Sequence, residues 1–383
     1  MLDPPIYIKN MSILSFSNND MQGEIVYFIF GPIWRNSLTR LLYCLPSIFY
    51  LYRPNSLTIR TEFINNVRVR VYYPKKRRSN ALILYFHGGG WATLRPFNYD
   101  VLMFYFIRRL GILVISVDYR RSPEYHYPIP IHDCEAVYQE IVMIDYKRYG
   151  IDRNQIIVMG DSAGGNLATV IAQRQLRKNF PQPLCQILIY PVIHPFDFQS
   201  PSYQKYYKYF PGCMFLCPRV MVEWYLLYLG IPATRNNIHK MLRNQHIRRS
   251  SKLNEEIQSK IGHNLLPTDF ISDSDKKSLP ESEDDYLCEA MEKYVNDPNL
   301  APIMATKLEG LSPTMIVTTE YDILRDEAVL YAKHLKSFNV SVHWKHYQKA
   351  YHGILNMPIS RRKLDILRDV AAFIDLQLSK VEL

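Results

Sequence analysis

The stretch Gly160–Asn166, with the sequence GDSAGGN, decides how the chain is predicted to fold. It follows the apolar run Gln155–Met159, which predicts a short buried strand, and it leads into Asn166–Gln173, which predicts a helix. The glycines around Ser162 allow a tight turn that lifts the serine hydroxyl clear of the sheet edge. The helix N-terminus behind it offers free N–H groups and a positive dipole end. This context favours a nucleophilic serine over a glycine-rich loop that only caps a helix.

Length, charge and cysteines set the frame for the rest of the chain. The 383 residues suffice for one large α/β domain with an inserted cap, or for two domains. A formal net charge of +10 is dispersed along the chain, and the basic run Lys75–Arg78 lies between two predicted strands. Because such a run is typical of a solvated loop, we predict no nucleic-acid partner. Cys213 and Cys217 lie close enough to pair in an oxidising compartment, but the sequence leaves this open.

The first 56 residues form a predicted N-terminal segment that is apolar, aromatic and irregular. It contains the apolar runs Ile25–Phe30 and Leu41–Leu51, and Pro46 interrupts the second run. No run of about 20 apolar residues is present, so no transmembrane helix is predicted. The short runs suit a segment that lies at a membrane interface. We therefore expect peripheral membrane association through this segment and the cap helix described below, with simple packing as part of a cap as an equally open alternative.

Residues 57–383 form the second predicted unit, an α/β domain. Leu57–Phe63 and Val67–Tyr72 alternate with period two and predict a hairpin, whereas Ala81–Phe86 and Ile112–Val117 are continuously apolar. Strands then alternate with helices of about 10–15 residues, which predicts a mostly parallel, doubly wound sheet. The further predicted strands are Gln155–Met159, Gln186–Tyr190, Thr314–Thr318 and Val340–Trp344. The predicted helices are Asp100–Leu110, Asp133–Arg148, Asn166–Gln173, Asp326–Lys336 and Arg361–Leu378.

A helical cap is predicted where this alternation breaks, between about residues 194 and 299. Its main helix carries apolar residues on one stripe: Val220, Met221, Trp224, Leu227 and Tyr228. Sites in open α/β sheets lie at the carboxyl edge, which we expect the cap to cover. We therefore predict a substrate pocket lined by Trp91, Trp224 and Tyr228.

A serine hydroxyl attacks a carbonyl only with a base beside it and an acid that orients the base. We expect the acid just past the strand that follows the insertion, where Asp322 is preferred and Glu320 is the alternative. Asp326 and Glu327 come next, and we interpret them as acidic residues in the first turn of a helix.

The base is expected past the last strand, where His352 precedes Gly353, a residue that permits a sharp turn. His346 is the alternative base, and together with His343 it has the spacing of two metal ligands. A metal site needs a third ligand, and the sequence does not show one, so neither a metal nor a cofactor is predicted.

Donors for an oxyanion are expected directly after the third strand, where His87–Trp91 has the sequence HGGGW. Consecutive glycines let backbone N–H groups face a substrate oxygen without side chains in the way. We predict the donors to be Gly88, Gly89 and the N–H of Ala163. His87 itself is interpreted as a packing residue and not as a base.

These motifs together resemble the hormone-sensitive-lipase branch of the α/β-hydrolases, the alpha/beta hydrolase fold-3 group that includes arylacetamide deacetylases and neutral cholesterol ester hydrolases. The stretches that carry the resemblance are His87–Trp91, Asp118–Arg120, Pro123, Tyr125–Pro128, Gly160–Asn166, Tyr321–Asp326 and His352–Gly353. The resemblance extends from about Leu57 to the C-terminus. It implies an α/β-hydrolase fold, a triad of Ser162, Asp322 and His352, and hydrolysis of hydrophobic esters or arylamides without a cofactor.

The chain departs from this family at two places. Arg121-Ser122-Pro123 stands where the family usually has Leu-Ala-Pro, and Arg121 has no role that the sequence reveals. Family members of the deacetylase type begin with a membrane-spanning signal anchor and face the lumen of the endoplasmic reticulum, whereas no such span is predicted here. The resemblance therefore implies a location at the endoplasmic reticulum or another membrane, with the cytoplasm as the alternative.

Three functions remain to be compared at this point. The preferred one is a serine carboxylesterase or lipase-like enzyme. The rival of a different class is a ligand receptor or interaction module on the same fold, which typically lacks a member of the triad. A peptidase is the other enzymatic alternative, but peptidases of this fold commonly carry an added propeller, and the chain has no such repeat. Oligomeric state is left open.

Overall fold

The computed structural model describes residues 40, 54–209, 216–248, 252–271, 282–357 and 360–381. Apart from residue 40, the expectations for the N-terminal segment fall outside the described residues, and so does Cys213 with its pairing.

An eight-stranded sheet forms the centre of the molecule, and the predicted mostly parallel α/β architecture is confirmed. Its strands are β1 Leu57–Ile64, β2 Val67–Pro74, β3 Leu82–Phe86, β4 Leu113–Val117, β5 Ile156–Asp161, β6 Cys185–Ile189, β7 Thr314–Tyr321 and β8 Val342–Tyr351. They lie in the order β1-β2-β4-β3-β5-β6-β7-β8. The first two strands pair antiparallel, and those from β3 to β8 pair parallel, so the carboxyl ends of β5, β7 and β8 meet at one edge.

The turn between β1 and β2 explains why this hairpin forms. Asn65 and Asn66 both have positive φ, 46° and 62°. Asparagine tolerates the left-handed region better than other residues with a Cβ, and two such residues match the twist of a two-residue hairpin. The turn pairs Ile64 with Val67 and so sets the register of both strands.

Helices cover both faces of the sheet. They are α1 Asp100–Leu110, α2 Ile129–Glu140, α3 Tyr146–Tyr149, α4 Ala163–Arg177, α5 Pro201–Tyr209, α6 Pro218–Leu229, α7 Arg235–Leu242, α8 Lys252–Ile261, α9 Asp285–Val295, α10 Arg325–Ser337 and α11 Arg361–Ser379. Alternate residues of β3 point to opposite sides: Leu82, Leu84 and Phe86 join the core under α2, α4 and α10, and Ile83 and Tyr85 join the core under α1 and α11. Strands buried on both faces need continuous apolar sequence, as β3 and β4 have.

Several element boundaries differ from the predictions, and two of them have a clear physical reason. Helix α2 begins at Ile129, four residues before the predicted start, because Pro130 suits the first turn of a helix, where its missing N–H is not needed. Strand β8 continues to Tyr351, well past Trp344. Its polar residues lie on an edge strand, where one face is open to water, and it follows β7 as far as Tyr321.

The segment between β6 and β7 forms helices α5 to α9, and the central one, α6, differs from its prediction. Besides Met221, Trp224 and Tyr228, the residues Val222 and Tyr225 are also buried. The helix is therefore enclosed on most of its circumference and does not present one apolar stripe. Within the described residues, none of the helices has the length and apolar character needed to cross a membrane.

Candidate active site

Ser162 lies in a strained turn between β5 and α4. Its backbone angles are φ 54° and ψ −124°, a combination that residues with a Cβ rarely adopt. A Cβ on Gly160 would lie 2.2 Å from the Gly164 carbonyl oxygen, and a Cβ on Gly164 would lie 2.0 Å from the Phe86 carbonyl oxygen. Both glycines are therefore required for this turn to fit against β3.

The backbone of Ser162 is hydrogen-bonded to the end of β6 and to the residues that follow it. Its N–H donates to the carbonyl of Ile189 over 2.9 Å, and its carbonyl accepts from the N–H of Val192 over 3.2 Å and from that of Asn166 over 3.1 Å. Because α4 begins at the next residue, Ala163, the helix N-terminus lies directly behind the hydroxyl. These bonds hold the strained conformation that places the hydroxyl at the sheet edge.

The structure places Ser162, His352 and Asp322 in one hydrogen-bonded series. The Nε2 atom of His352 lies 3.0 Å from the Ser162 Oγ, and its Nδ1 atom lies 3.0 Å from the Asp322 Oδ2. A carboxylate can only accept, so Nδ1 carries the proton and Nε2 is left to accept from the serine hydroxyl. Asp322 follows β7 and His352 follows β8, and these neighbouring strands bring the two side chains to the same edge.

Further contacts fix the orientation of the carboxylate and the ring. The Asp322 Oδ1 atom accepts from the N–H of Leu324 over 2.9 Å, and the Oδ2 atom lies 3.3 Å from the Thr319 hydroxyl. The imidazole of His352 packs against the ring of Tyr190 with 4.6 Å between centroids. The carboxylate therefore cannot rotate away from the imidazole without losing hydrogen bonds.

The alternative acid and base are engaged elsewhere. Glu320 accepts from the backbone N–H of Lys349 over 2.6 Å. The Nδ1 atom of His346 lies 3.0 Å from the Thr318 hydroxyl, and burial, aided by Arg325, lowers the pKa of His346 to about 4. No group of three His, Cys, Asp or Glu residues in the described part of the chain could hold a metal ion.

The expectation for Gly88 as an oxyanion donor is wrong. Its N–H donates to the buried carboxylate of Asp161 over 2.9 Å and lies 3.1 Å from the Tyr99 hydroxyl. Tyr85 and Tyr99 donate to the same carboxylate over 2.6 and 3.0 Å, while its burial raises the pKa of Asp161. Asp161 was not singled out from the sequence, although an acidic residue at the end of a buried strand was a signal that it needed partners.

The next two glycines have the free donors that Gly88 lacks. Gly89 and Gly90 have φ of 99° and 58°, and no described residue accepts a hydrogen bond from either N–H. The Gly89 carbonyl accepts from the N–H groups of Ala92 and Thr93 over 3.0 and 2.9 Å, which closes the loop into a tight turn. His87 is fully buried and stacks on Tyr119 at 4.2 Å, and burial lowers its pKa to about 4, as befits a packing residue.

The three predicted pocket residues occupy two different places. The indole of Trp91 is fully buried and stacks on Tyr228 with 4.3 Å between centroids and 5° between planes. Trp224 lies directly over Gly90, because a Cβ on Gly90 would be 2.1 Å from its ring. The stacked pair Trp91 and Tyr228 thus joins the cap to the main domain, whereas Trp224 borders Gly90.

Asp326 and Glu327 do more than begin α10. Both are buried, and they bind the start of the cap: the Asp326 Oδ2 accepts from the N–H of Ser202 over 2.7 Å, and the Glu327 Oε2 accepts from the N–H of His194 over 3.1 Å. The Ser202 hydroxyl also donates to the Ile323 carbonyl over 2.6 Å. The cap is therefore fastened to the loop that carries Asp322, which the interpretation as first-turn acids missed.

Comparisons with known proteins agree with this arrangement. Residues 83–254 and 266–356 match the alpha/beta hydrolase fold family. Arylacetamide deacetylase from Oryctolagus cuniculus is 34% identical over 315 residues, which cover 79% of this chain and 75% of the relative. Neutral cholesterol ester hydrolase 1 from Bos taurus is 30% identical over 307 residues, 77% of this chain and 73% of the relative.

Solved structures share the fold. A hyperthermophilic esterase from the archaeon Pyrobaculum calidifontis matches with a TM-score of 0.67 at 24% identity and covers 98% of this chain and 98% of its own. An esterase from the bacterial hormone-sensitive lipase family has the same TM-score, 0.67, at 19% identity, with 98% of this chain and 99% of its own covered. Together with the family match and the deacetylase relative, the sheet order and the strained serine turn establish that the chain belongs to the α/β-hydrolase fold family.

Proposed function

We propose that the chain is a serine hydrolase that cleaves carboxylic esters through an acyl-enzyme. The observation that carries the proposal is the pair of 3.0 Å contacts that joins Asp322 to His352 and His352 to Ser162. The matched relatives that are named a deacetylase and a cholesterol ester hydrolase support this reaction type. A binding module on the same fold, the rival function, has no need of such an arrangement.

The three groups have complementary parts in the reaction. As the Ser162 Oγ attacks the ester carbonyl carbon, its proton passes to the His352 Nε2, and Asp322 stabilises the imidazolium that forms. When the carbonyl carbon–oxygen bond to the alcohol breaks, the imidazolium returns the proton to the leaving oxygen. Water, deprotonated by the same nitrogen, then attacks the acyl-serine, and release of the carboxylic acid restores the hydroxyl.

We assign the oxyanion donors to Gly89, Gly90 and Ala163. The support for the glycines is that their N–H groups have no acceptor among the described residues, whereas that of Gly88 is committed to Asp161. The support for Ala163 is its place as the first residue of α4, where an N–H has no partner within the helix. Donors of this kind stabilise the charge that develops on the carbonyl oxygen in the transition state.

Substitution of the serine tests the proposal. Ser162→Ala is expected to lower the turnover of p-nitrophenyl butyrate by at least about 10⁴-fold, while the thermal midpoint stays within a few degrees. A serine-directed phosphonate should label the wild type and not the variant. Ser337→Ala, an exposed serine at the end of α10, serves as the matched control and should keep the wild-type rate. A Ser162→Ala protein that retains wild-type turnover would show that another residue is the nucleophile.

We infer that the substrates are hydrophobic esters of moderate size, with arylamides as the alternative. The support is Trp224, whose ring packs on Gly90 and so places an apolar surface at the oxyanion loop. Each acyl methylene that such a surface buries contributes about 0.8 kcal/mol, or roughly fourfold in affinity.

We also infer peripheral membrane association through the N-terminal segment. The supports are its apolar runs and the net charge of +10, which favours an anionic surface. Helix α6 is excluded from this role, contrary to the expectation that the cap helix takes part, because its apolar side chains are buried within the protein.

A further inference from the structure

The loop Gly89–Leu94, which begins with the two glycines assigned as oxyanion donors, has an unfavourable backbone conformation. Gly89, Gly90 and Trp91 are three successive residues with positive φ, at 99°, 58° and 55°. Glycine adopts this region freely, but for tryptophan the Cβ makes it costly. Such a conformation persists only where surrounding contacts over-determine it. The conformation of this loop therefore depends on contacts from the residues that surround it.

Four consecutive carbonyls of this loop, from Trp91 to Leu94, each accept a hydrogen bond from outside it. The donors are the N–H of Ser122, 2.9 Å from the first carbonyl, the Nε of Arg40, 2.7 Å from the second, and the Nη1 of Arg121, which contacts the third and lies 3.0 Å from the fourth. We call Arg40, Arg121 and Ser122 the loop brace. Arg40 also binds another member of the brace, because its Nη2 donates to the Ser122 carbonyl over 2.7 Å.

Arg121 is the buried member of the brace. Burial, together with the neighbouring charges of Arg40 and Arg95, lowers its pKa to about 10, and the guanidinium is therefore still protonated at neutral pH. A buried cation is costly unless several acceptors surround it. The carbonyls of Thr93 and Leu94 supply two such acceptors, both to the same nitrogen, Nη1. Its neighbour Arg120 is half-exposed and pairs with Asp133 instead.

We propose that Arg121, together with Arg40, is a positioning residue that holds the glycine N–H groups in place for the oxyanion. This inference rests on the proposed ester hydrolysis and on Gly89 and Gly90 as donors. Arg121 acts through the carbonyls that follow those glycines and touches no reacting atom.

The inference predicts a specific kinetic defect. The oxyanion forms only after attack, so a loop that shifts by a fraction of an ångström weakens transition-state binding and leaves ground-state binding intact. Arg121→Leu is therefore expected to lower kcat for p-nitrophenyl butyrate by about 10- to 100-fold with KM within about threefold. The inhibition constant of a trifluoromethyl ketone, which forms a tetrahedral oxyanion adduct, should rise by the same factor by which kcat/KM falls.

The experiment counts active sites by phosphonate titration, so that only folded enzyme enters kcat. Arg120→Leu is the matched control and should stay within about threefold of the wild type in every constant, because its contacts lie outside the loop. Arg40→Ala removes the other guanidinium from a side chain that is 16% exposed. It is expected to lower kcat by about 3- to 10-fold in the same pattern, and it decides the question if Arg121→Leu fails to fold.

Two results would overturn the brace. One is an Arg121→Leu enzyme whose active sites react with the phosphonate and whose kcat and ketone inhibition equal those of the wild type. If Arg121→Leu does not fold, the same result for Arg40→Ala would have this meaning. The other is a rise in KM with kcat unchanged, which would place Arg121 in substrate binding. A wild type that the phosphonate does not label would instead refute the proposed hydrolase function, so the two failures are distinct.

Discussion

At the scale of single residues, Asp322 and Glu320 show how two nearby carboxylates differ in their surroundings. Asp322 is buried and accepts from the Leu324 N–H while facing His352, whereas Glu320 binds the Lys349 N–H. Asp322→Asn is expected to lower kcat for ester hydrolysis by about 10⁴-fold, because the amide favours the wrong imidazole tautomer. Glu320→Gln, measured in the same assay, should remain within about threefold. A larger loss in Glu320→Gln than in Asp322→Asn would reverse the assignment.

Because His246 is buried in the cap, we expect the free energy of unfolding to fall at acidic pH. Its Nε2 lies 2.7 Å from the Pro195 carbonyl, its buried Nδ1 has no partner among the described residues, and burial lowers its pKa from 6.5 to about 4. The unfolded chain therefore binds one more proton between these values, and stability from this group is lost as pH falls below about 6.5. His246→Gln keeps an amide N–H for Pro195 and does not titrate.

Chemical denaturation at two pH values isolates this contribution. Between pH 7.5 and pH 5.5, the wild type should lose about 1.4 kcal/mol of unfolding free energy more than His246→Gln. Taking the difference between the two proteins cancels the titration of all other groups. Parallel stability curves for the wild type and the variant would mean that this imidazole is already protonated in the folded protein.

At the scale of elements, helix α6 brings the cap against the glycine loop through Trp224. Its ring packs on Gly90, so we expect kcat/KM to rise from acetyl to butyryl and octanoyl esters as methylenes cover the indole. In Trp224→Ala this rise should flatten, because the apolar surface is gone. Val220→Ala, on the same helix but partly exposed, is the matched control. A preference for acetyl esters that Trp224→Ala leaves unchanged would show that the cap forms no acyl pocket and would indicate a small-acyl deacetylase.

At the scale of the whole molecule, charge and the N-terminal segment predict binding to anionic membranes. With a net charge of +10, the full chain is expected to float with phosphatidylserine-containing liposomes at low salt and to be released as salt screens the attraction. Neutral phosphatidylcholine liposomes provide the control. Protein that stays at the bottom of the gradient with anionic liposomes at low salt would contradict the inference and favour packing of the segment against the protein.

The same scale shows which features the sequence could predict. The serine turn, the buried strands and the positions of Asp322 and His352 follow from local patterns, because the strand order of a parallel sheet brings the carboxyl ends together. The partner of the Gly88 N–H could not be predicted in this way. It is Asp161 on a neighbouring strand, and the sequence pattern does not show that the Asp161 side chain points toward Gly88.

Contacts across long stretches of chain account for the other differences. Asp326 and Glu327 look like ordinary first-turn acids until Ser202 and His194 reach them from more than 120 residues earlier in the chain. The role of Arg121 likewise depends on carbonyls 27 and 28 residues away. Periodicity and motifs predict the secondary structure of a segment, whereas hydrogen-bond partners that are distant in sequence depend on how the segments pack.

The burial of the serine turn has a consequence for speed. Ser162 exposes 3% of its surface and His352 exposes 6%, so very little of either side chain is open to an incoming ester. We therefore expect turnover to include an opening movement that precedes all bond making. Once the chemistry is fast enough, the frequency of that opening becomes the ceiling on the rate, and a better leaving group no longer accelerates the enzyme.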